Sequence, residues 1–184
     1  DLAEAIAVSC NDYFIEKGMM LGMDRMTTMF RSAGLGRKTG FILPESAGLV
    51  PTREDKERLY QSRWNEYDTG LLAIGQGLIA VTPLQMAVYS AAIANGGTCW
   101  RPYLVSEVKS PQGNTLFVNT PHSSGHLAVS PENLDMVKAG MWRVVNEKHG
   151  SGRKAYIEKL ELYGKSGTGE EKKKKNRYNN TWFI

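Results

Sequence analysis

The 184-residue chain has little cysteine and little histidine, and this scarcity limits the chemistry open to it. Its two cysteines, Cys10 and Cys99, lie far apart and do not make a disulfide framework. We expect two buried free thiols, although the residues alone leave a disulfide between them open. The three histidines cluster with neither cysteine, so no spacing in the chain is typical of a metal site.

Long apolar runs and a general basic charge are also missing. No stretch of about 18 or more apolar residues occurs, so no part of the sequence predicts a transmembrane helix. The formal net charge is only +4, and most of it comes from the run Lys172–Lys175 beside Arg177. A chain that is near neutral elsewhere does not predict a surface for nucleic acid. We expect the lysine run to form the solvated tip of a hairpin.

The apolar patterning that is present predicts a mixed α and β fold. Helical periodicity and caps predict helices at Leu2–Val8, about 13–22, 23–33 and 84–95 (with Thr82 as cap and Pro83 at the first position), and one from Ser130 onward. Alternation predicts a hairpin from Tyr103–Lys109 and Thr115–Val118, and a strand from Leu160 into Thr168. The charged stretch Arg53–Arg63 is expected to be a short solvated helix or an exposed loop.

The last four residues, Thr181–Ile184, alternate like a strand that stops in mid-course. A natural domain rarely ends on an unfinished apolar strand. We therefore expect residues 1–184 to be a partial domain, truncated at both ends.

Two short motifs carry possible chemistry, and neither is specific alone. Ser9-Cys10-Asn11 would usually be a helix cap, and Lys165-Ser166-Gly167 would usually be the entrance to a turn. A Ser-x-Asn and a Lys-Ser-Gly-Thr, together with an upstream Ser-x-x-Lys, form the signature of penicillin-binding proteins and class A β-lactamases.

The order of further motifs along the chain overturns those simpler interpretations. The series runs Ser9–Phe14, Gly34–Gly40, Leu43–Glu45, Gly48–Pro51, Ile74–Gly77, Thr82–Ala87, Ala94–Gly97, Gly150–Gly152 and Gly164–Glu170. Over almost its whole length the chain resembles the transpeptidase domain of class B penicillin-binding proteins. The stretch Trp64–Asp68 before Ile74–Gly77 resembles the elongation-type subgroup, penicillin-binding protein 2. The resemblance implies an α+β fold of the β-lactamase and transpeptidase type, the penicillin-recognising serine enzymes, with an antiparallel sheet flanked by helices.

The resemblance also implies catalytic roles for Ser9, Asn11 and Lys165. Acyl transfer needs a nucleophile, a base, a proton relay and an oxyanion hole. Ser9 would pass a proton to the leaving amine, and the amide of Asn11 would grip a peptide backbone. Lys165 would supply positive charge near Ser9 and near the substrate carboxylate. Because a relay requires hydrogen-bond reach, we expect Ser9 and Lys165 to be neighbours in the fold.

Three residues after Lys165 are expected to bind the substrate. The hydroxyls of Ser166 and Thr168 would bind its carboxylate, and Gly167 would let its backbone lie against the strand. The family further implies that the backbone N–H of Thr168 forms half of the oxyanion hole.

The chain holds no acceptable nucleophile. Ser106–Lys109 and Ser151–Lys154 both fit Ser-x-x-Lys, but the family places the nucleophile before the Ser-x-Asn motif, at the start of a buried helix. Lys38-Thr39-Gly40 imitates the third motif but lies in a loop far upstream of the strand. We therefore expect the nucleophile outside this fragment, and we expect the fragment alone to be inactive.

For the intact protein, the resemblance implies a D,D-transpeptidase that cross-links peptidoglycan stem peptides through an acyl-serine and is inhibited by β-lactams. It implies no metal or organic cofactor, no nucleic acid, and partnership with a membrane glycosyltransferase and elongation-complex proteins. It places the domain on the outer face of the bacterial cytoplasmic membrane, anchored by an N-terminal segment. Two alternatives stay open: a serine β-lactamase or β-lactam sensor, and a non-catalytic peptide-binding module of the same fold.

Overall fold

The computed structural model describes residues 1–173 and 176–184, and the side chains of all but residues 171–177. The helices are α1 Leu2–Val8, α2 Asn11–Leu21, α3 Met23–Ser32, α4 Arg53–Tyr60, α5 Glu66–Ala73, α6 Pro83–Ala94 and α7 Pro131–Asn146. The strands are β1 Thr98–Trp100, β2 Glu107–Lys109, β3 Thr115–Val118, β4 Ser123–His126, β5 Ser166–Lys173 and β6 Asn176–Phe183. The lysine run predicted to form a hairpin tip includes residues 174 and 175, which lie outside the described residues.

Side-chain caps begin α6 and α7 where the sequence predicts them. The hydroxyl of Thr82 accepts from the Gln85 N–H, and the side-chain oxygen of Gln85 accepts from the Thr82 N–H. Pro83 is the first residue of α6. The hydroxyl of Ser130 caps α7 by accepting from the Asn133 N–H at 3.3 Å, and Pro131 opens that helix. The charged stretch after Pro51 is confirmed as a short helix, α4, whereas α5 was not predicted. In the sequence, α5 is marked by the reciprocal capping box of Asn65 and Asp68. The helix that follows is too short for its apolar residues to show a helical period.

The strands form three two-stranded antiparallel sheets, β1–β4, β2–β3 and β5–β6. The mixed fold class with antiparallel sheets and helices is therefore confirmed. The β2–β3 hairpin is confirmed as well, but its first strand begins at Glu107 rather than at Tyr103. Strands β1 and β4 were not predicted, because three and four residues show too little alternation to identify a strand.

The predicted strand at Leu160–Tyr163 is wrong, because β5 begins only at Ser166. Leu160 and Tyr163 are about half exposed, at 54% and 47%. Leu162 packs on the buried Val144 and Val145, and its carbonyl accepts from the side chain of Asn146 at 2.8 Å. Leu162 therefore packs against α7, and its carbonyl bonds to a side chain of that helix instead of to a neighbouring strand.

The buried residues lie mainly between helices. One cluster joins α6 and α7 around Ala92, Ile93 and Met141, and a second joins α1 to α7 through Ile6. Met23 and Met26 of α3 pack on Leu72 of α5.

Both cysteines are free, as expected. Cys99 is buried, but Cys10 is only partly so, which corrects the expectation of two buried thiols. Its place in the short turn between α1 and α2 leaves one side open.

Candidate active site

Ser9 occupies the sharp turn between α1 and α2. Its backbone is left-handed, with φ 57° and ψ 50°, a conformation that residues other than glycine rarely adopt. The N–H groups of Ser9 and Cys10 bond back to α1, at 3.2 Å to the Ile6 carbonyl and 2.9 Å to the Ala5 carbonyl. The turn therefore ends α1, fixes Ser9 at an exposed edge, and starts α2 immediately afterwards.

Asn11 is the first residue of α2 and is exposed. The predicted capping role is not seen, because the N-cap position is held by Cys10, whose side chain makes no cap hydrogen bond. Since the amide of Asn11 is not used in capping, it is open to solvent beside Ser9.

Lys165 lies directly before β5 and reaches across to Ser9. Its ammonium donates to Ser9 Oγ at 2.8 Å and to the carbonyl of Ser166 at 2.6 Å. Its backbone exchanges two hydrogen bonds with Ile184, of 2.9 Å and 3.2 Å. The prediction that Ser9 and Lys165 are neighbours is confirmed, and the strand pairing holds the lysine in place.

Burial lowers the pKa of Lys165 from its ordinary value. The hydrogen-bond partners that the described residues offer its ammonium are neutral oxygens, so they do not balance its charge. A half-buried cation in this setting favours the arrival of an anion such as a carboxylate.

The residues after Lys165 present an open strand edge. In an antiparallel pair, successive residues alternate between bonding the partner strand and facing away from it. Because Lys165 bonds Ile184, the N–H and C=O groups of Ser166 and Thr168 face away from β6. At Gly167 an added Cβ would meet nothing closer than Trp182 Cβ at 3.6 Å, so this part of the strand is open.

Ser151 links the Ser9 turn to the strand. Its N–H donates to the Ala7 carbonyl at 2.9 Å, and its hydroxyl lies 3.0 Å from that of Ser166. From the sequence, Ser151 is considered only as the serine of a Ser-x-x-Lys motif and is rejected as the nucleophile. Its position before β5 in the Gly150–Gly152 segment was the available signal.

A cavity of about 380 Å³ lies beside this edge. One side of it is lined by Lys165 and by the first four residues of β5, Ser166–Gly169. Its walls are apolar side chains of α3, α5 and α6 and the segments that follow them, among them Met29, Phe30, Leu72, Ile79 and Tyr89.

Two of the three sequence imitations of the motifs lie away from the site, and the third, Ser151, lies beside Ser166. Lys38-Thr39-Gly40 sits in the loop after α3, where the Glu45 carboxylate accepts from Thr39 and Gly40. Ser106 directly precedes the first residue of β2, and Ser151 lies in a turn before a short 3-10 helix at Arg153–Ala155. Neither serine starts a buried helix.

Within the ranges that the structure describes, no group of three or more histidine, cysteine, aspartate or glutamate side chains is arranged to hold a metal ion. None of the helices described has both the length and the apolar character needed to cross a membrane.

The structure brings a serine and a lysine into hydrogen-bond contact at the start of an antiparallel strand, against a helical core, as the resemblance to the penicillin-recognising serine enzymes implies. The comparisons with known proteins agree. The chain belongs to the penicillin-binding protein transpeptidase domain family, whose model, described as "Penicillin binding protein transpeptidase domain", matches residues 1–184.

The relatives are enzymes of peptidoglycan synthesis. The chain is 34% identical over 190 residues to "Peptidoglycan D,D-transpeptidase MrdA" of Haemophilus influenzae, covering 97% of this chain and 28% of that protein. The chain therefore spans little more than a quarter of the length of that relative. The resemblance to class B penicillin-binding proteins of the penicillin-binding protein 2 type is thus confirmed.

Two solved structures show the same fold. One is a "Complex between Penicillin-Binding Protein (PBP2) and MreC from Helicobacter pylori", 29% identical with a TM-score of 0.76, covering 91% of this chain and 30% of that one. The other is described as "Structural coordination of polymerization and crosslinking by a peptidoglycan synthase complex". It is 32% identical with a TM-score of 0.78, and the match covers 95% of this chain and 28% of that one.

Proposed function

We propose that this chain is part of a peptidoglycan D,D-transpeptidase that cross-links stem peptides through an acyl-serine intermediate and is acylated by β-lactams. The observation that carries the proposal is the 2.8 Å hydrogen bond from Lys165 to Ser9 beside the open edge of β5. The contact supports the proposal because Ser9, the Lys165 ammonium and the strand edge would then all lie within reach of one substrate.

We assign three catalytic roles, and the contact between Lys165 and Ser9 supports two of them. A nucleophilic serine attacks the scissile carbonyl, the bond to the leaving D-amino acid breaks, and the serine proton is passed on to the leaving amine through Ser9. Lys165 stabilises the relay oxygen and attracts the substrate carboxylate, which the hydroxyls of Ser166 and Thr168 then hydrogen-bond. The amide of Asn11 hydrogen-bonds the backbone of the donor peptide.

The strand would orient the carbonyl for attack. The N–H of Thr168 faces the open edge and supplies one donor of the oxyanion hole. Gly167 leaves room for the donor backbone to lie against β5, as an added strand does.

We further propose that the nucleophile belongs to a helix outside residues 1–184, that this chain is a partial domain, and that the missing helix fills the apolar cavity beneath Lys165–Gly169. In support, the cavity is walled by apolar side chains and opens against Lys165. No serine in the described ranges occupies the start of a buried helix followed by a lysine.

Location and partners follow from the relatives. We propose an outer-face, membrane-anchored protein that works with a glycosyltransferase and with elongation-complex proteins. The Helicobacter pylori structure pairs a penicillin-binding protein 2 with MreC, and the synthase structure is described as one of polymerization and crosslinking.

The test uses the full-length protein, a fluorescent penicillin, and a synthetic stem-peptide donor with an amine acceptor. We expect a stable covalent adduct, a cross-linked product, and negligible release of hydrolysed penicillin. Rapid turnover of the penicillin would instead indicate a β-lactamase, and the absence of any adduct would indicate a non-catalytic binding module.

A further inference from the structure

Gln76 lies in the turn after α5, between two glycines whose backbones only glycine adopts readily. Gly75 has φ 72° and Gly77 has φ 80°. The N–H of Gln76 bonds back to the Leu71 carbonyl at 2.9 Å, so the turn is closed onto the end of α5. This fixes the backbone from which the Gln76 side chain extends.

The side-chain amide of Gln76 pairs with β5 as a peptide group would. Its Nε2 donates to the Thr168 carbonyl at 2.8 Å, and its Oε1 accepts from the Glu170 N–H at 3.3 Å. These two backbone groups belong to the edge of β5 that faces away from β6, and a neighbouring strand would bond the same pair. The Gln76 amide therefore takes the place of one peptide group of a neighbouring strand at this edge of β5.

Thr168 is held from both sides as a result. The flanking residues Gly167 and Gly169 pair with β6, and the peptide group that follows Thr168 is held by Gln76. A strand containing two glycines has little side-chain packing to keep its edge rigid, so the additional bonds limit how the Thr168 peptide groups tilt.

Resting on the proposed function, we infer that Gln76 is a positioning residue for acylation. It acts through β5 by fixing the direction of the Thr168 N–H, the proposed oxyanion donor, and it does not touch the reacting atoms. A misplacement of about 1 Å in an active site costs up to about a hundredfold in rate, so losing two hydrogen bonds that orient the strand should cost about tenfold.

The experiment compares full-length wild type, Gln76→Ala, Gln76→Glu and the control Gln112→Ala, with a fluorescent penicillin as the probe. Gln112 lies exposed in the turn between β2 and β3, far from the motif residues in sequence. Stopped-flow labelling separates the acylation rate constant from the dissociation constant of the first complex, and the labelling amplitude reports the folded fraction.

We expect both Gln76 variants to lose about tenfold in the acylation rate constant, with an unchanged dissociation constant and full amplitude. The glutamate variant is the decisive one, because it keeps the size of the side chain and the acceptor for the Glu170 N–H, but replaces the bond to the Thr168 carbonyl with repulsion between two oxygens. Wild-type acylation rates in Gln76→Glu and Gln76→Ala would overturn the inference, as would a loss confined to amplitude.

The wild type and a Lys165→Ala variant separate this inference from the proposed function. If wild type is not labelled, or if Lys165→Ala is labelled normally, the proposed function fails. If those two behave as expected and the Gln76 variants match wild type, only the role of Gln76 fails.

Discussion

Replacing Lys165 with methionine should abolish most acylation without unfolding the protein. Methionine keeps much of the apolar stem but removes the ammonium that donates to Ser9 and to the Ser166 carbonyl. A unit charge about 4 Å from a substrate carboxylate contributes about 4 kcal/mol at an effective dielectric constant near 20. Loss of one preorganised electrostatic group typically costs at least about a hundredfold in rate, which corresponds to about 2.7 kcal/mol.

Stability should respond differently. Burial lowers the pKa of Lys165, so below its folded-state pKa the protein bears the cost of a desolvated charge, and this cost is relieved as pH rises through that pKa. Methionine removes the cost at neutral pH and loses two hydrogen bonds, each of about 1 kcal/mol net. We therefore expect the free energy of unfolding to change by no more than about 1 kcal/mol.

The assay is the second-order rate constant for labelling of the full-length protein by a fluorescent penicillin, with thermal unfolding measured in parallel. Lys154→Met is the matched control, because Lys154 is exposed in the Arg153–Ala155 turn. In wild type, the alkaline limb of the rate profile should fall at a pH below the ordinary range of a lysine. Labelling of Lys165→Met within about threefold of the wild-type rate would refute the electrostatic argument.

Three further predictions concern the turn, the helix packing and the loop after α3. Ser9→Ala should slow labelling by roughly a hundredfold with the amplitude retained, since the relay hydroxyl is lost, and an unchanged rate would remove Ser9 from the relay. Gly18→Ala should destabilise the protein by about 1–3 kcal/mol in denaturant unfolding, because a Cβ would lie 2.2 Å from Ala73 Cβ; an unchanged midpoint would show that α2 and α5 can separate freely. Burial raises the pKa of Glu45, but hydrogen bonds from Thr39 and the next two backbone N–H groups outweigh it and leave the pKa below its ordinary value. The charged Glu45 carboxylate therefore stabilises the protein above the ordinary carboxyl pKa, and this stabilisation is lost as pH falls through the lowered pKa. The thermal midpoint of Glu45→Gln should fall less on acidification than that of wild type; equal falls in the two midpoints would contradict this.

The sequence predicts the contact between Ser9 and Lys165, but it predicts the strands less well. The contact between Ser9 and Lys165 could be predicted because both residues lie in short motifs that the sequence shows directly. Ser9 ends a helix and Lys165 precedes a strand, and the order of the motifs matches the family fold. The strand at Leu160–Tyr163 was wrong because alternation cannot tell a paired strand from an extended segment packed on a helix. Gln76 and Ser151 were missed as site residues because their contacts are made by single side chains between distant segments, and such contacts leave no periodicity in the sequence.

The most direct test of the account is the identity of the acylated residue. The full-length protein and the 184-residue chain are each incubated with a fluorescent penicillin, digested, and mapped by mass spectrometry. The account predicts one adduct in the full-length protein, on a serine of a Ser-x-x-Lys outside residues 1–184, and none on the chain alone. An adduct on Ser9, Ser106 or Ser151 would contradict it.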